Sequence, residues 1–217
     1  MALPEPTASE PDEMSDKPAW LRPHGRPWKR GPERLVFDNP WIKVTEHEAV
    51  APTGKPARYG VVGFKNLAIA VLPIHQDATV ILVGQNRFAL ADYSWELPEG
   101  GSPLGEDPLE GARRELAEET GLCARDWRPV LKAQLSNSVT DERAVGYLAL
   151  GLSESRGGHQ RDDSEDLQLA RVPFHEALQA ALDGHMEDML TLAMLLRAYH
   201  MAREGALPDA LARVMLG

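Results

Sequence analysis

The chain holds a single cysteine, Cys123, among 217 residues. A lone thiol excludes an internal disulfide framework and any zinc cluster built on cysteines. It follows Gly121-Leu122 at the end of an apolar turn, so we read it as a buried, inert side chain. Long apolar runs are also missing. None approaches the roughly 20 residues needed to cross a bilayer, which excludes a helical membrane span. Basic residues are in short supply, 23 Lys and Arg against 33 Asp and Glu, for a net charge of −10. That balance argues against a nucleic-acid partner. An acidic chain can still take an anionic substrate if divalent cations lie between the two sets of negative charge. The opening MALPEPTASEPDEMSDKP lacks the basic start and apolar stretch of a secretory signal, so we expect a cytoplasmic protein.

Apolar residues make up 43% and charged residues 26%, the balance of a globular domain long enough to bury a core. Residues 1–32 are rich in proline and read as a disordered or loosely docked segment. From Leu35 the texture changes. LVFDNPWIKVTEHEAV reads as two strands about a turn at Asp38-Asn39-Pro40, within an N-terminal β extension over 33–60. ARYGVVGF, LAIAVLPI, TVILVGQNRF, VLKAQLS and AVGYLALGL read as further strands, LAIAVLPI being apolar enough to lie at the centre of a sheet. Asp107–Thr120 reads as a helix, with Pro108 in its first turn, Gly121 as its C-terminal cap, and Leu109, Ala112, Leu116 and Ala117 as its apolar stripe. Two more helices are expected near Phe174–Gly184 and Asp188–Arg203, the second with a broad apolar face. The fold class is therefore α/β, a mixed sheet between helices. The main domain is set at 61–204, with 205–217 as a tail.

The chemistry-bearing segment runs from Gly100 to Leu122, a glycine-rich turn feeding a helix dense in carboxylates. Glu115, Glu118 and Glu119 stand at i, i+3 and i+4 and share one helical face. Like charges at that spacing cost a bare helix a few tenths of a kcal/mol per pair, and they sit late in the helix where its dipole disfavours anions. Hard cations relieve both costs, and oxygen donors without thiolates favour Mg²⁺ or Mn²⁺. The plainer alternative is a solvated charged face, the usual fate of glutamate-rich helices.

The pattern is longer than that alternative needs. Gly100, five residues, Glu106, seven residues, Arg114-Glu115, Leu116, Ala117, Glu118-Glu119, Thr120, Gly121 and Leu122 together resemble the Nudix box, with every specified position matched and no gap. The resemblance implies the Nudix α/β/α sandwich, with the box as a loop–helix–loop. It implies Glu115 and Glu119 as metal ligands and Glu118 as a further ligand or a catalytic partner of metal-bound water. Arg114 would orient the carboxylates, Glu106 would support them from behind, and Gly100 and Gly121 would serve the loop geometry. The activity implied is Mg²⁺-dependent hydrolysis of a diphosphate bond by in-line attack of water, with Mn²⁺ as a substitute.

Tyr93-Ser-Trp-Glu-Leu-Pro-Glu-Gly100 looks like the run before the box in ADP-ribose and nucleotide-sugar pyrophosphatases. There the residue preceding the first box glycine, Glu99 here, offers its main-chain carbonyl to a metal. Gln85-Asn-Arg87 is similar to a strand end whose arginine reaches substrate phosphates; as a bare residue, Arg87 is equally a surface charge. The acidic loop Arg161–Asp166 resembles one that positions water, through Glu165 first and Asp163 second, unless both are simply solvated. Trp41 and Glu142 are the other expected substrate contacts. ADP-ribose hydrolases usually carry a proline in the loop after the box, where this chain has Ser136-Asn-Ser-Val-Thr-Asp-Glu142. The resemblance thus implies a nucleoside diphosphate sugar substrate of the ADP-ribose, GDP-hexose or UDP-hexose type. Two other readings are a house-cleaning nucleoside triphosphate pyrophosphohydrolase and a non-catalytic nucleotide-sugar sensor. Trp20, Trp28, Phe37 and Trp41 lie outside the box-bearing core, and large aromatics concentrate at interfaces, so a homodimer is expected.

Overall fold

The computed structural model describes residues 18–155 and 166–217. The chain divides into two compact units, Met1–Arg34 with Glu46–Tyr59 and Leu35–Thr45 with Gly60–Gly217. Three long strands come first in the chain. They are β1 (Lys29–Asp38), β2 (Ile42–Val50) and β3 (Pro56–Phe64), paired in that order. β1 starts inside the segment set apart as docked or disordered, so the strand boundary lies at Lys29 rather than at residue 33. Its Pro32 is tolerated because β1 is an edge strand, where one missing backbone donor costs no ladder bond. In the first unit Trp28 meets Tyr59 edge to face, with ring centres 5.4 Å apart.

The second unit is built on a four-stranded sheet in the order β7-β4-β9-β8. β4 (Asn66–Pro73) lies at its centre. It runs parallel to β9 (Arg143–Glu154) and antiparallel to β7 (Glu99–Pro103), with Ala70 opposite Glu99. β8 (Leu122–Gln134) is the far edge. The near-continuous apolar run of β4 has a direct cause, since both faces are covered. Ile69 and Val71 point to one side, where Ala112 and Leu116 of helix α1 (Pro108–Thr120) pack with Tyr147 and Ala149. Ala70 and Leu72 point to the other, against Met194, Leu195 and Ala198 of α3 (Met189–Arg203). This is the expected α/β/α layering. A second sheet, β10-β5-β6, joins β10 (Gln168–Pro173), β5 (Thr79–Arg87) and β6 (Asp92–Glu96). Helix α2 (Phe174–Leu182) follows β10 and adds Phe174, Ala177 and Ala181 to the α3-side core.

The ends of α1 are fixed as its sequence predicts. The Asp107 carboxylate accepts the Leu109 N–H at 3.0 Å, and Gly121 closes the helix with φ of 69°. β8 departs from expectation by starting directly after that cap instead of near Val130. The tail set at 205–217 is also different, because it contains helix α4 (Asp209–Leu216). Leu211, Ala212 and Met215 recur at helical spacing and join the α3-side core. Cys123 is exposed, contrary to the buried reading. It stands on an outward position of edge strand β8, 3.2 Å from the Ser153 hydroxyl. Among the described residues, no helix is long and apolar enough to cross a membrane.

α1 is held to the sheet chiefly by Leu116, which is fully buried. Leu116→Ala should lower the unfolding free energy by about 2–5 kcal/mol, read as a fall in the urea midpoint. A loss below about 1 kcal/mol would mean that α1 does not depend on this contact.

Candidate active site

Two consecutive turns of α1 present acidic side chains to the strand that precedes them. Glu119 is buried at 5% exposure, an unusual place for a carboxylate. Its Oε2 accepts the backbone N–H of Glu99 at 3.1 Å. One turn earlier, the carboxylate of Glu115 rests over Gly100 so closely that a methyl group at that glycine would overlap it. This explains the glycine at the start of the box without appeal to backbone freedom: the position is reserved for a carboxylate. Gly111 serves the same packing, since a Cβ there would meet Ser102 of β7 at 2.7 Å.

Arg114 ties the loop to the helix. Its Nη1 donates to Glu106 and its Nη2 to the Gly101 carbonyl, each at 2.9 Å, and Glu115 lies 3.6 Å away. Burial works against the Arg114 charge, but the hydrogen bond it donates to Glu106 and the fields of Glu106, Glu115 and Glu118 outweigh it and raise its pKa. Glu106 in turn accepts the Ser102 hydroxyl at 2.8 Å, and that bond together with the Arg114 bond lowers its pKa. Glu118 is partly exposed on the same helix.

Arg87, at the end of β5, is gripped by Glu96 of β6. Its Nε lies 3.0 and 3.1 Å from the two carboxylate oxygens, and Nη2 bonds one of them as well. The hydrogen bond to Glu96 is the main reason that the Arg87 pKa is raised, with Glu99 and Glu119 adding their fields. Arg87 is thus brought to the same carboxylate group as the box. Glu96 was not singled out in the sequence. Its signal was the register that places Val83 opposite Glu96 on one sheet face with Arg87, which requires the strand pairing to be known. Burial pushes the Glu99 carboxyl well above the usual range, and the negative field of the nearby Asp188 adds to the effect.

Trp41 and Glu142 belong to segments that meet at the end of β3. The Lys65 N–H donates to the Trp41 carbonyl at 2.9 Å, and the Phe64 N–H to the Asp141 carboxylate at 2.8 Å. Trp41 is 65% exposed, whereas Glu142 is partly buried and its pKa is raised, first by burial and then by Asp141. Glu165 and Asp163 lie outside the described residues. Among the described residues, no group of three or more His, Cys, Asp or Glu side chains is placed to hold a metal ion. Glu115 and Glu119 nevertheless suit a hard divalent cation. Both supply oxygen donors, both meet the Glu99–Gly100 backbone, and the Gly100 cradle leaves room only for a carboxylate.

Two family models match the chain. Residues 65–193, more than half of it, match the NUDIX domain, and residues 28–62 match the nucleoside diphosphate sugar hydrolase N-terminal domain. The chain is 29% identical over 145 residues to an ADP-ribose pyrophosphatase of Mycobacterium tuberculosis, covering 66% of this chain and 70% of the relative. It is 28% identical over 188 residues to an ADP-sugar pyrophosphatase of Mus musculus, covering 80% and 86%. A solved structure described as an ADP compounds hydrolase shares the fold with a TM-score of 0.74 at 19% identity, over 86% of this chain and all of that one. The loop–helix geometry at Gly100–Gly121 and the matching domain model lead to one conclusion: the chain belongs to the Nudix family.

Proposed function

We propose that this protein hydrolyses the diphosphate bond of a nucleoside diphosphate sugar, releasing a nucleoside monophosphate and a sugar phosphate. The observation that carries the reading is the meeting of the Glu115 and Glu119 carboxylates with the Glu99–Gly100 backbone. The substrate class is supported by the N-terminal domain matched over residues 28–62 and by relatives that act on ADP-ribose and ADP-sugars.

Glu115, Glu119 and the Glu99 main-chain carbonyl would hold a divalent cation, Mg²⁺ by preference and Mn²⁺ as a substitute. When bound, the cation would supply positive charge to the phosphate oxygens and acidify water at the site. Arg114 keeps the loop and helix in register through Glu106 and Gly101. Arg87 has two nitrogens committed to Glu96 and offers its remaining Nη1 edge to a substrate phosphate. Glu118 and Glu165 are our candidates for taking a proton from the attacking water, with Asp163 after them. Trp41 supplies an exposed aromatic face and Glu142 a carboxyl for the nucleoside or the sugar.

The active form is proposed to be a homodimer. Trp28, Phe37 and Trp41 are 47%, 50% and 65% exposed in the single chain, and Leu35 and Val36 beside them are more than half exposed. Aromatics left open in this way favour a protein interface.

Incubation with ADP-ribose, a GDP-hexose, a UDP-hexose and nucleoside triphosphates, followed by chromatography of the products, tests the reaction. A nucleoside monophosphate should form from at least one nucleotide sugar with Mg²⁺ and vanish with excess chelator. Turnover confined to the triphosphates would reject the substrate class. Glu119→Gln should cut kcat by 100-fold or more with the circular dichroism spectrum unchanged, because it removes charge at little cost in volume. A rate within tenfold of the wild type would take Glu119 out of the site. Sedimentation should give a dimer for the full chain and a monomer after deletion through Asn39; a truncated dimer would place the interface elsewhere.

A further inference from the structure

The corner between β6 and β7 is braced from the opposite layer of the molecule. Leu97-Pro98-Glu99 leads into the box, and three of its main-chain groups have specific partners. The Leu97 N–H donates to the Thr191 hydroxyl at 2.9 Å. Pro98 has no N–H to offer, and its carbonyl accepts the Val71 N–H at 2.9 Å. The Glu99 N–H goes to Glu119. Thr191 lies in the first turn of α3, on the face of the sheet away from α1, and is wholly buried. Its own N–H is fixed by the Asp188 carboxylate at 2.7 Å, and its hydroxyl stands 3.5 Å from Glu99 Oε1.

We infer that Thr191 is a positioning residue for the cation site, setting the Leu97–Glu99 corner whose backbone holds Glu119. The inference rests on the function proposed above. Leu97 is buried at 1% exposure, so water cannot replace the hydroxyl that its N–H loses. The corner would shift to find another acceptor. Glu99 is two residues further on, and a displacement there moves both the N–H on Glu119 and the carbonyl offered to the cation. Groups that orient metal ligands are typically worth 10–100-fold in metal affinity. A merely packed threonine would pass no such effect to α1.

The test compares Thr191→Val, which keeps the shape and removes the hydroxyl, with Thr191→Ser, which keeps the hydroxyl and removes a methyl. Mn²⁺ binding to each full-length chain is followed by the electron paramagnetic resonance of free Mn²⁺, beside the Mg²⁺ concentration for half-maximal rate. Thr191→Val should bind Mn²⁺ about tenfold or more weakly, with a matching rise in the Mg²⁺ requirement, and Thr191→Ser should stay within about threefold of the wild type. Should the valine variant fail to fold by circular dichroism, Thr191→Ala removes the same hydroxyl and takes its place. Wild-type affinity in the hydroxyl-free variant, or equal losses in both variants, would overturn the inference. If the wild type itself binds no Mn²⁺ and Glu119→Gln costs no activity, the proposed function fails instead.

Discussion

The approach of the Glu115 carboxylate to the bare backbone of Gly100 is the contact on which the rest of the site depends. No other residue type at position 100 leaves the volume that the carboxylate occupies. Given that contact, α1 can lie near enough to β7 for Glu119 to reach the Glu99 N–H one turn later and for Arg114 to reach the Gly101 carbonyl. Gly111 makes the same allowance where the helix crosses Ser102. Small residues therefore set the distance between helix and loop. The buried apolar stripe of Ala112 and Leu116 then holds that distance against the repulsion of neighbouring carboxylates.

Like charges held together in a partly buried place are costly unless something neutralises them. The structure shows two partial answers. Glu106 and Glu96 are each matched to an arginine, and the Glu99 carboxyl is pushed toward its neutral form beside Asp188. Glu115 shares Arg114 with Glu106 and rests over Gly100, and Glu119 takes the Glu99 N–H.

Much of this was legible in the sequence, for identifiable reasons. The box helix was readable because cap, stripe and glycine stop all agree, and β4 because an apolar run buried on both faces has no polar alternation. The strands of residues 92–103 were not readable. Tyr93-Ser-Trp-Glu and Glu-Gly-Gly-Ser-Pro have no strand periodicity of their own and are held in place by β5 and β4. β8 starts early because its pairing with β9, not its composition, extends it to Leu122. Helix α4 was missed because three apolar residues in a short segment are a weak periodic signal. Among the candidate site residues, Glu115 and Glu119 were marked by their spacing on one helix, and Arg114 by the resemblance to the Nudix box. Glu96 and Thr191 do not, because each acts across strands or layers far apart in sequence. Thr191 reads as an ordinary polar interruption of an apolar helix until Leu97 is seen beside it.

We propose that the Gly100 cradle makes the carboxylates of α1 into a cation site. Calorimetric titration of Gly100→Ala with Mn²⁺ tests it most directly, beside circular dichroism to show that the helices persist. The added methyl should displace Glu115 and weaken binding by about tenfold or more in a folded protein. A folded Gly100→Ala variant that binds Mn²⁺ as tightly as the wild type would contradict the account.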